Sequence, residues 1–240
     1  MIVGGTSGIG LATTKLLIES GHRVMIIGRS EDKLDNAIKY IDSPNLLVQS
    51  FDVCNTSEIL PFVEHIVTNN GKLSGLIYAA GYEETLPLGR MKPDSVERIH
   101  KTNLFGAIEF TRVCAKKKHY NNGFSVVFLS SVMGQLGEPG KISYCSTKAA
   151  LQGAAKAMAV ELAPKGIRVN TVSPGVVETP MSQKLFEALD ENAIARIKSK
   201  HPLGLGTPED IANAIEFLIS NKSRWITGSN LVIDGGYSIQ

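Results

Sequence analysis

The chain has 240 residues, 43% of them hydrophobic, which is enough for one large α/β domain or two small ones with a substantial buried core. Its 25 basic and 23 acidic residues give a formal net charge of +2, so the overall charge predicts neither a nucleic-acid partner nor a membrane partner. Three widely spaced cysteines without a C-x-x-C pair argue against a disulfide framework or a zinc site, and they favour a reducing compartment.

Seven short runs rich in Val and Ile recur along the chain, and longer segments with helical periodicity separate them. The runs are residues 1–3, 24–27, 46–48, 76–79, 126–129, 169–172 and 231–233. Runs that are apolar on both faces and alternate with helices indicate a parallel sheet covered on both sides. The sequence therefore predicts one α/β domain over residues 1–240, a doubly wound Rossmann fold with a seven-stranded parallel sheet.

The first run leads into a glycine-rich turn with the pattern G-x3-G-x-G, at the start of a predicted helix. Glycines in such a turn permit the close approach of a pyrophosphate, which rests on the positive end of the helix. A glycine-rich turn that binds no ligand is the alternative. The candidate cofactor-binding residues in this segment are Gly4, Thr6, Ser7, Gly8, Ile9 and Gly10.

The end of the second run, at Gly28 and Arg29, bears on which dinucleotide is bound. A site that prefers NAD usually has an acidic side chain here for the ribose hydroxyls, whereas a 2′-phosphate favours an arginine. The acid is missing and Arg29 is present, while Glu31 and Asp32 fall further along the next helix. The sequence thus favours NADPH, with NADH as the alternative if Arg29 is a surface residue that merely starts the next loop.

The ends of the third and fourth runs add four candidate contacts to the cofactor. Asp52 and Val53 follow the third run, where a carboxylate can hold the adenine amino group and a valine can stack on the ring. For Asp52, a role as a turn former only is the alternative. After the fourth run, Ala80 and Gly81 are small enough for the backbone to approach the cofactor sugar.

Several helix boundaries are visible in the sequence. Ser30 is placed to cap a helix whose apolar residues fall on one stripe. The start of the next helix is left open, because Pro61 would remove a backbone donor inside it. An alanine-rich helix covers residues 149–163, and Gly166 helps to end it.

Residues 175–208 form the least regular region of the sequence. A small amphipathic helix is predicted there by four apolar residues, Met181, Leu185, Phe186 and Leu189. Such a helix between Pro-rich and Gly-rich hinges is typical of a substrate lid, which we place at about residues 180–205; an ordinary surface helix is the alternative.

The most informative spacing is that of Tyr144 and Lys148, which lie one helical turn apart. An ammonium beside a phenol favours the phenolate, so we expect Lys148 to lower the pKa of Tyr144 enough for proton transfer near neutral pH. Taken alone, the spacing also fits a solvated helix face. Ser131 lies thirteen residues before Tyr144 and is a candidate partner for it. Its neighbour Ser130 is the alternative, because adjacent strand residues point to opposite faces and only one of the two can face the cofactor. The spacing favours Ser131.

Further motifs accompany this pair. In chain order they are the turn glycines, Asn103, Ser131, Tyr144-x3-Lys148, Pro174-Gly175 and Thr179. In this order and spacing the chain resembles the short-chain dehydrogenase/reductase family over essentially its whole length, and most closely the branch that includes the beta-ketoacyl-acyl carrier protein reductases. It departs from that pattern at Ala79, which stands where the family usually has asparagine, so one sheet-stabilising bond has to be replaced or lost.

The resemblance implies four catalytic residues. Tyr144 would protonate the carbonyl oxygen as hydride arrives from the nicotinamide, and Ser131 would hydrogen-bond the same oxygen. Lys148 would also bind the nicotinamide ribose, and both Tyr144 and Lys148 would count among the cofactor-binding residues. Asn103 would anchor a water that links Lys148 to solvent, with a purely structural hydrogen bond as the alternative.

The resemblance also implies contacts at the nicotinamide end of the cofactor. Thr179 and the backbone of Val177 would hold the carboxamide, and Pro174 and Gly175, just before them in the chain, would also contact the cofactor. No metal ligand is predicted. Candidates for lining the substrate site are Tyr82, Glu83, Met133, Gln135, Glu138, Met181, Phe186 and His201.

The leading hypothesis is an NADPH-dependent carbonyl reductase that acts on a small-molecule or carrier-linked ketone. By resemblance we expect a homotetramer or homodimer, and because no signal peptide is visible we expect a cytoplasmic protein with no nucleic-acid or membrane partner. The alternatives are an NAD-dependent alcohol dehydrogenase of the same fold and a non-catalytic cofactor-binding protein. A nucleotide-sugar epimerase also uses Tyr-x3-Lys, but its larger substrate domain and its glycine spacing are absent.

Overall fold

Seven parallel strands form the centre of the structure, a computed structural model that describes residues 1–187 and 189–239. In chain order they are β1 (Ile2–Val3), β2 (Val24–Gly28), β3 (Leu46–Ser50), β4 (Leu73–Tyr78), β5 (Tyr120–Leu129), β6 (Arg168–Pro174) and β7 (Asn230–Ile233). The order across the sheet is β3-β2-β1-β4-β5-β6-β7, and each adjacent pair is parallel. The predicted seven-stranded sheet is confirmed.

Helices cover both faces of this sheet. They are α1 (Gly8–Glu19), α2 (Glu31–Ile41), α3 (Ile59–Asn70), α4 (Pro93–His100), α5 (Gly106–Cys114), α6 (Ile142–Leu162), α7 (Pro180–Glu187), α8 (Glu191–Ser199) and α9 (Pro208–Ile219). Val3 and Ile27 pack with α3, α5 and α6, whereas their neighbours Ile2 and Ile26 pack with α1, α2 and α9. The strands are therefore buried on both faces, which explains their continuous apolar runs. In the described part of the chain, no helix is long and apolar enough to cross a membrane.

The helix boundaries follow local rules. Ser30 caps α2, as predicted, by accepting a hydrogen bond from a backbone N–H of the first turn. Helix α3 begins at Ile59, after a short 3-10 turn, so Pro61 lies in the first turn, where the N–H that it lacks would have no partner within the helix. Gly166 adopts a φ of +71° shortly after the end of α6, the conformation expected of a helix-ending glycine.

The region predicted to contain one small helix contains two, α7 and α8. The second begins because Asp190 accepts a hydrogen bond from the Ala193 N–H at 2.7 Å, a cap that the apolar pattern did not indicate. Leu189, predicted to belong to the first helix, lies after its end, and Ala188 lies outside the described residues. Closure of this region over a substrate stays a prediction.

The strand order places a crevice at the centre of the sheet. The chain passes from β3 at one edge to β4 beside β1, so the direction of winding reverses between β1 and β4. In parallel sheets, ligands bind at such a point, beyond the carboxyl ends of the strands. At this junction the Ala79 N–H donates to the Val3 carbonyl oxygen at 2.8 Å, so the backbone joins the strands where the family pattern has an asparagine.

Candidate active site

A cavity of about 960 Å³ opens at the carboxyl ends of the strands. Ser131 and every residue that the sequence indicated for cofactor binding line it. These residues are Gly4, Thr6, Ser7, Gly8, Ile9, Gly10, Arg29, Asp52, Val53, Ala80, Gly81, Tyr144, Lys148, Pro174, Gly175, Val177 and Thr179. Segments that are distant in the chain therefore converge on one cavity, while their contacts with a cofactor stay a prediction.

The glycine-rich turn between β1 and α1 forms one end of the cavity. Gly4 adopts a φ of +88°, and a Cβ atom on Gly10 would collide with the Gly4 carbonyl oxygen, so both positions require glycine. Ser7 is the N-cap of α1, but its side chain makes no capping bond, and the first turn carries no acidic residue. The positive end of α1 is thus uncompensated and faces the cavity, which fits the pyrophosphate of a dinucleotide.

Two basic side chains border the end of the cavity near β2. The Arg29 guanidinium lies 4.0 Å from an Asp52 carboxylate oxygen, and its side chain is 81% exposed. Lys33, in the first turn of α2, lines the same part of the cavity, whereas Glu31 and Asp32 do not line it. This pair of cations fits a 2′-phosphate better than a free ribose.

Asp52 also acts in the turn that follows β3. Its side chain accepts a hydrogen bond from the Cys54 N–H at 2.9 Å. The role as a turn former, weighed from the sequence as an alternative, is thus present in the structure. The second carboxylate oxygen faces Arg29, so the same side chain serves both the turn and the exposed cation.

Tyr144 and Lys148 lie one turn apart on α6, as predicted, and both are buried. The Lys148 Nζ lies 5.5 Å from the centroid of the Tyr144 ring and donates to the Leu129 carbonyl oxygen at 2.7 Å. Burial lowers the pKa of Lys148 to about 8.

The electrostatic expectation for Tyr144 was wrong. Burial raises the pKa of Tyr144 to about 12 and Glu83 adds to the rise, while a hydrogen bond with Ser131 and the charge of Lys141 act in the opposite direction. The phenol is desolvated, and the Lys148 ammonium is bonded to a carbonyl rather than to the phenol oxygen. Tyr144 therefore carries its proton at neutral pH, the state that a general acid requires.

The two adjacent serines after β5 have different hydrogen-bond partners, and this difference bears on which of them lies beside Tyr144. Ser130 donates to the Lys148 carbonyl oxygen at 2.9 Å and accepts from Gln152 at 3.2 Å, so its hydroxyl is used within the fold. Ser131 instead accepts from the Met133 N–H at 3.2 Å and hydrogen-bonds Tyr144. The geometry supports Ser131 as the serine beside the phenol.

Asn103 is fully buried behind the cavity and does not line it. It lies in a π-helical turn between α4 and α5. Its amide accepts from the Tyr82 N–H and donates to the Tyr82 carbonyl, both at 3.0 Å, and donates to the Thr147 hydroxyl at 3.2 Å. These bonds give Asn103 the structural role that the sequence left open as an alternative. Its proposed role in anchoring a water stays a prediction.

The loop after β6 supplies the opposite wall of the cavity. The Thr179 side chain accepts from the Ser182 N–H at 3.3 Å, and Val177 pairs with Gly206 in an isolated parallel bridge. These bonds fix the loop that the family resemblance assigns to the carboxamide. The buried side chain of His201 accepts from the Val176 N–H at 3.1 Å and so braces the loop from behind.

Only half of the candidates for the substrate site line the cavity. Those that do are Tyr82, Glu83, Met133 and Met181; those that do not are Gln135, Glu138, Phe186 and His201. The prediction was wrong for His201 because the Val176 N–H occupies Nε2 while Nδ1 lies 2.7 Å from the Ile197 carbonyl oxygen. Glu138 lies one contact away from the cavity, at the side chain of Lys141.

Lys141 is the main residue that the sequence did not reveal. It precedes α6, lines the cavity, and its side chain is only 9% exposed. Its Nζ lies 2.9 Å from Glu83 and 2.6 Å from Glu138. Burial lowers the pKa of Lys141, but the bonds to Glu138 and Glu83 outweigh burial and raise the pKa above its ordinary value. The i, i+3 spacing of Glu138 and Lys141 could have indicated their ion pair, but no local pattern in the sequence connects Lys141 with Glu83.

Among residues 1–187 and 189–239, no group of three or more His, Cys, Asp or Glu side chains is arranged to hold a metal ion.

Comparison with known proteins agrees with the geometry. A family model described as enoyl-(acyl carrier protein) reductase matches residues 3–238. A 3-oxoacyl-acyl-carrier-protein reductase of Thermotoga maritima is 37% identical, with 100% of this chain and 97% of the relative covered. Carbonyl reductase family member 4 of Danio rerio is 34% identical, with the same coverage. The solved structure of ElxO with NADP bound has a TM-score of 0.89 and 31% identity, and the match covers 100% of this chain and 98% of ElxO.

Proposed function

The chain belongs to the short-chain dehydrogenase/reductase family of NAD(P)-dependent oxidoreductases, in the branch that resembles the beta-ketoacyl-acyl carrier protein reductases, and on that premise we propose that it reduces ketones with NADPH. The observation that carries the proposal is the meeting of Tyr144, Ser131 and Lys148 in the cavity that contains the glycine-rich turn. When bound, the nicotinamide supplies the hydride. The side chains of this chain supply the proton and the orientation.

Tyr144 is the proton donor in this proposal. Its raised pKa, about 12, keeps the phenol protonated at neutral pH, and an alkoxide is more basic still, so the proton moves toward the product oxygen. Oxidation of an alcohol would need the phenolate, which burial disfavours. We therefore expect the NAD-linked alcohol oxidation considered as an alternative to need a higher pH at this site than ketone reduction does.

Ser131 and Lys148 support that transfer. Ser131 hydrogen-bonds Tyr144, so a carbonyl oxygen that accepts from the phenol also lies within reach of the serine hydroxyl. Lys148, whose pKa of about 8 leaves it mostly charged at neutral pH, stabilises the phenolate that forms as the proton leaves. Its ammonium is also the group that we assign to the nicotinamide ribose.

For the substrate we propose a small or carrier-linked ketone. A reductase of 3-oxoacyl carrier proteins and a carbonyl reductase are among the relatives, which supports this class. The test is a panel of simple ketones, 3-oxoesters and 3-oxoacyl thioesters, followed by the loss of NADPH or NADH absorbance. Oxidation of NADPH by at least one ketone is expected. Turnover of none of them with either nucleotide would favour the non-catalytic alternative.

We expect Arg29→Ala to weaken the preference for NADPH. Removing one charge-assisted contact to the 2′-phosphate should raise the KM for NADPH about ten- to a hundredfold, because such bonds contribute roughly 1.5 to 3 kcal/mol. The KM for NADH should change less than about twofold, since NADH has no phosphate there. Initial rates with each nucleotide measure both values.

Arg23→Ala is the matched control, because Arg23 precedes β2 while Arg29 follows it, and Arg23 bonds Asn70 away from the cavity. It should leave both KM values unchanged. A wild-type enzyme that uses NADH better than NADPH would show that Arg29 does not select the nucleotide.

Assembly is part of the same proposal: a homotetramer or homodimer located in the cytoplasm. Val160, Leu203 and Trp225 are 79%, 87% and 91% exposed, and large apolar side chains left in water support burial against other copies of the chain. Light scattering should give two or four times the 25.8 kDa of one chain.

A further inference from the structure

Three charged side chains lie together at the substrate side of Tyr144. We call Glu83, Glu138 and Lys141 the entrance triad. The Lys141 Nζ is 2.9 Å from Glu83 Oε1 and 2.6 Å from Glu138 Oε2, and the side chains of the two glutamates are 18% and 38% exposed. With one cation and two anions, the triad has a net charge of −1.

The entrance triad joins two loops that border the cavity. Glu83 lies in the loop after β4 and Glu138 in the loop after β5, while Lys141 stands directly before α6. A backbone bond from the Leu86 N–H to the Gly140 carbonyl, 2.8 Å long, holds the same two loops together. The triad is therefore fixed on both sides, and its charge stays beside the reacting end of the cavity.

The charge of the triad reaches the phenol of Tyr144. Beyond the larger effect of burial, Glu83 raises the pKa of Tyr144 and Lys141 lowers it by less. Within the triad, the effect of the Glu83 carboxylate on the phenol therefore exceeds that of the Lys141 ammonium. A carbonyl bonded to Tyr144 places its substituents in the same field.

We propose that the entrance triad selects substrates by charge, admitting neutral ketones such as 3-oxoesters and thioesters and disfavouring those with a carboxylate near the reacting carbonyl. A carboxylate there would meet the net negative charge of the triad in a partly desolvated cavity. The charge of Lys141 is already shared between two carboxylates, so a third carboxylate beside it would add to an excess of negative charge. The inference rests on the proposed ketone reduction and names the substrate class within it.

The test compares acetoacetate with its ethyl ester, which present the same ketone with and without a charge. Wild type should have a higher kcat/KM for the ester. Glu83→Gln makes the triad neutral and should lower the ester-to-acid ratio about tenfold, the order expected for one unit charge several Å away. Lys141→Met leaves two anions and should raise the ratio. Glu138→Gln should act like Glu83→Gln, which guards against a folding defect in one variant.

Glu84→Gln is the matched control, since it makes the same change one residue away and Glu84 does not line the cavity. It should leave the ratio unchanged, and a general loss of stability would lower both rates together. Three results would overturn the inference. The wild type could reduce the acid with the same kcat/KM as the ester, or the ester-to-acid ratio could be unaltered in both glutamine variants. The enzyme could also reduce other ketones but neither acetoacetate nor its ester. No ketone reduced with either nucleotide would instead overturn the proposed function itself.

Discussion

Tyr144→Phe should lower the kcat for ketone reduction about a thousandfold or more while leaving NADPH binding within about twofold. The substitution removes the only atom that we assign to proton donation, and general acids contribute roughly 10² to 10⁴ in rate. The ring, which packs with Ile99, Val132 and Met133, is kept. Steady-state rates and a fluorescence titration with NADPH separate the two effects.

Tyr40→Phe is the control for this change, because it also removes a tyrosine hydroxyl, but from an exposed residue of α2 that does not line the cavity. It should keep full activity. Turnover by Tyr144→Phe within tenfold of wild type would remove Tyr144 from the reaction, and a parallel loss of NADPH binding would show that the phenol holds the cofactor.

The fold was predictable because its signals are local. Val24 to Ile27 are apolar on both faces, which only a covered strand allows, and Ser30 then marks the start of the next helix. The glycines of the first turn are similarly dictated by backbone geometry, since a side chain on Gly10 has no space. Such features depend on neighbours in sequence, so they can be recognised before the fold is known.

The electrostatics of the site were not predictable in the same way. The spacing of Tyr144 and Lys148 gave their separation correctly, but the pKa of Tyr144 depends on burial, which belongs to the assembled fold. Likewise, the pair of Glu83 and Lys141 forms only when two loops distant in the chain meet. The residue types at a site can thus be read from motifs, whereas their charge states depend on contacts that no local pattern contains.

Lys148→Met should abolish most activity and yet make the folded chain more stable near neutral pH. Activity should fall about a hundredfold or more, because the charge that stabilises the Tyr144 phenolate is removed. Stability should rise because burial lowers the pKa of Lys148 from 10.5 to about 8, so the folded state carries an unfavourable buried charge worth about 3 kcal/mol. Loss of the bond to the Leu129 carbonyl offsets roughly 1 to 2 kcal/mol of this gain.

The stability gain of Lys148→Met should depend on pH in a defined window. Below about pH 8 the folded wild type keeps the buried charge, so the variant has its full advantage in unfolding free energy. Between about pH 8 and 10.5 the folded wild type has lost the proton that its unfolded chain retains. Wild-type stability therefore rises in this window, and the difference in unfolding free energy between the two proteins closes. Urea unfolding at pH 7 and pH 10, at one protein concentration, measures the gap. Lys156→Met, on an exposed face of the same helix, should show neither effect. A gap that stays constant with pH would mean that the pKa of Lys148 is the same in the folded and the unfolded chain, which would contradict the cost of burying its charge.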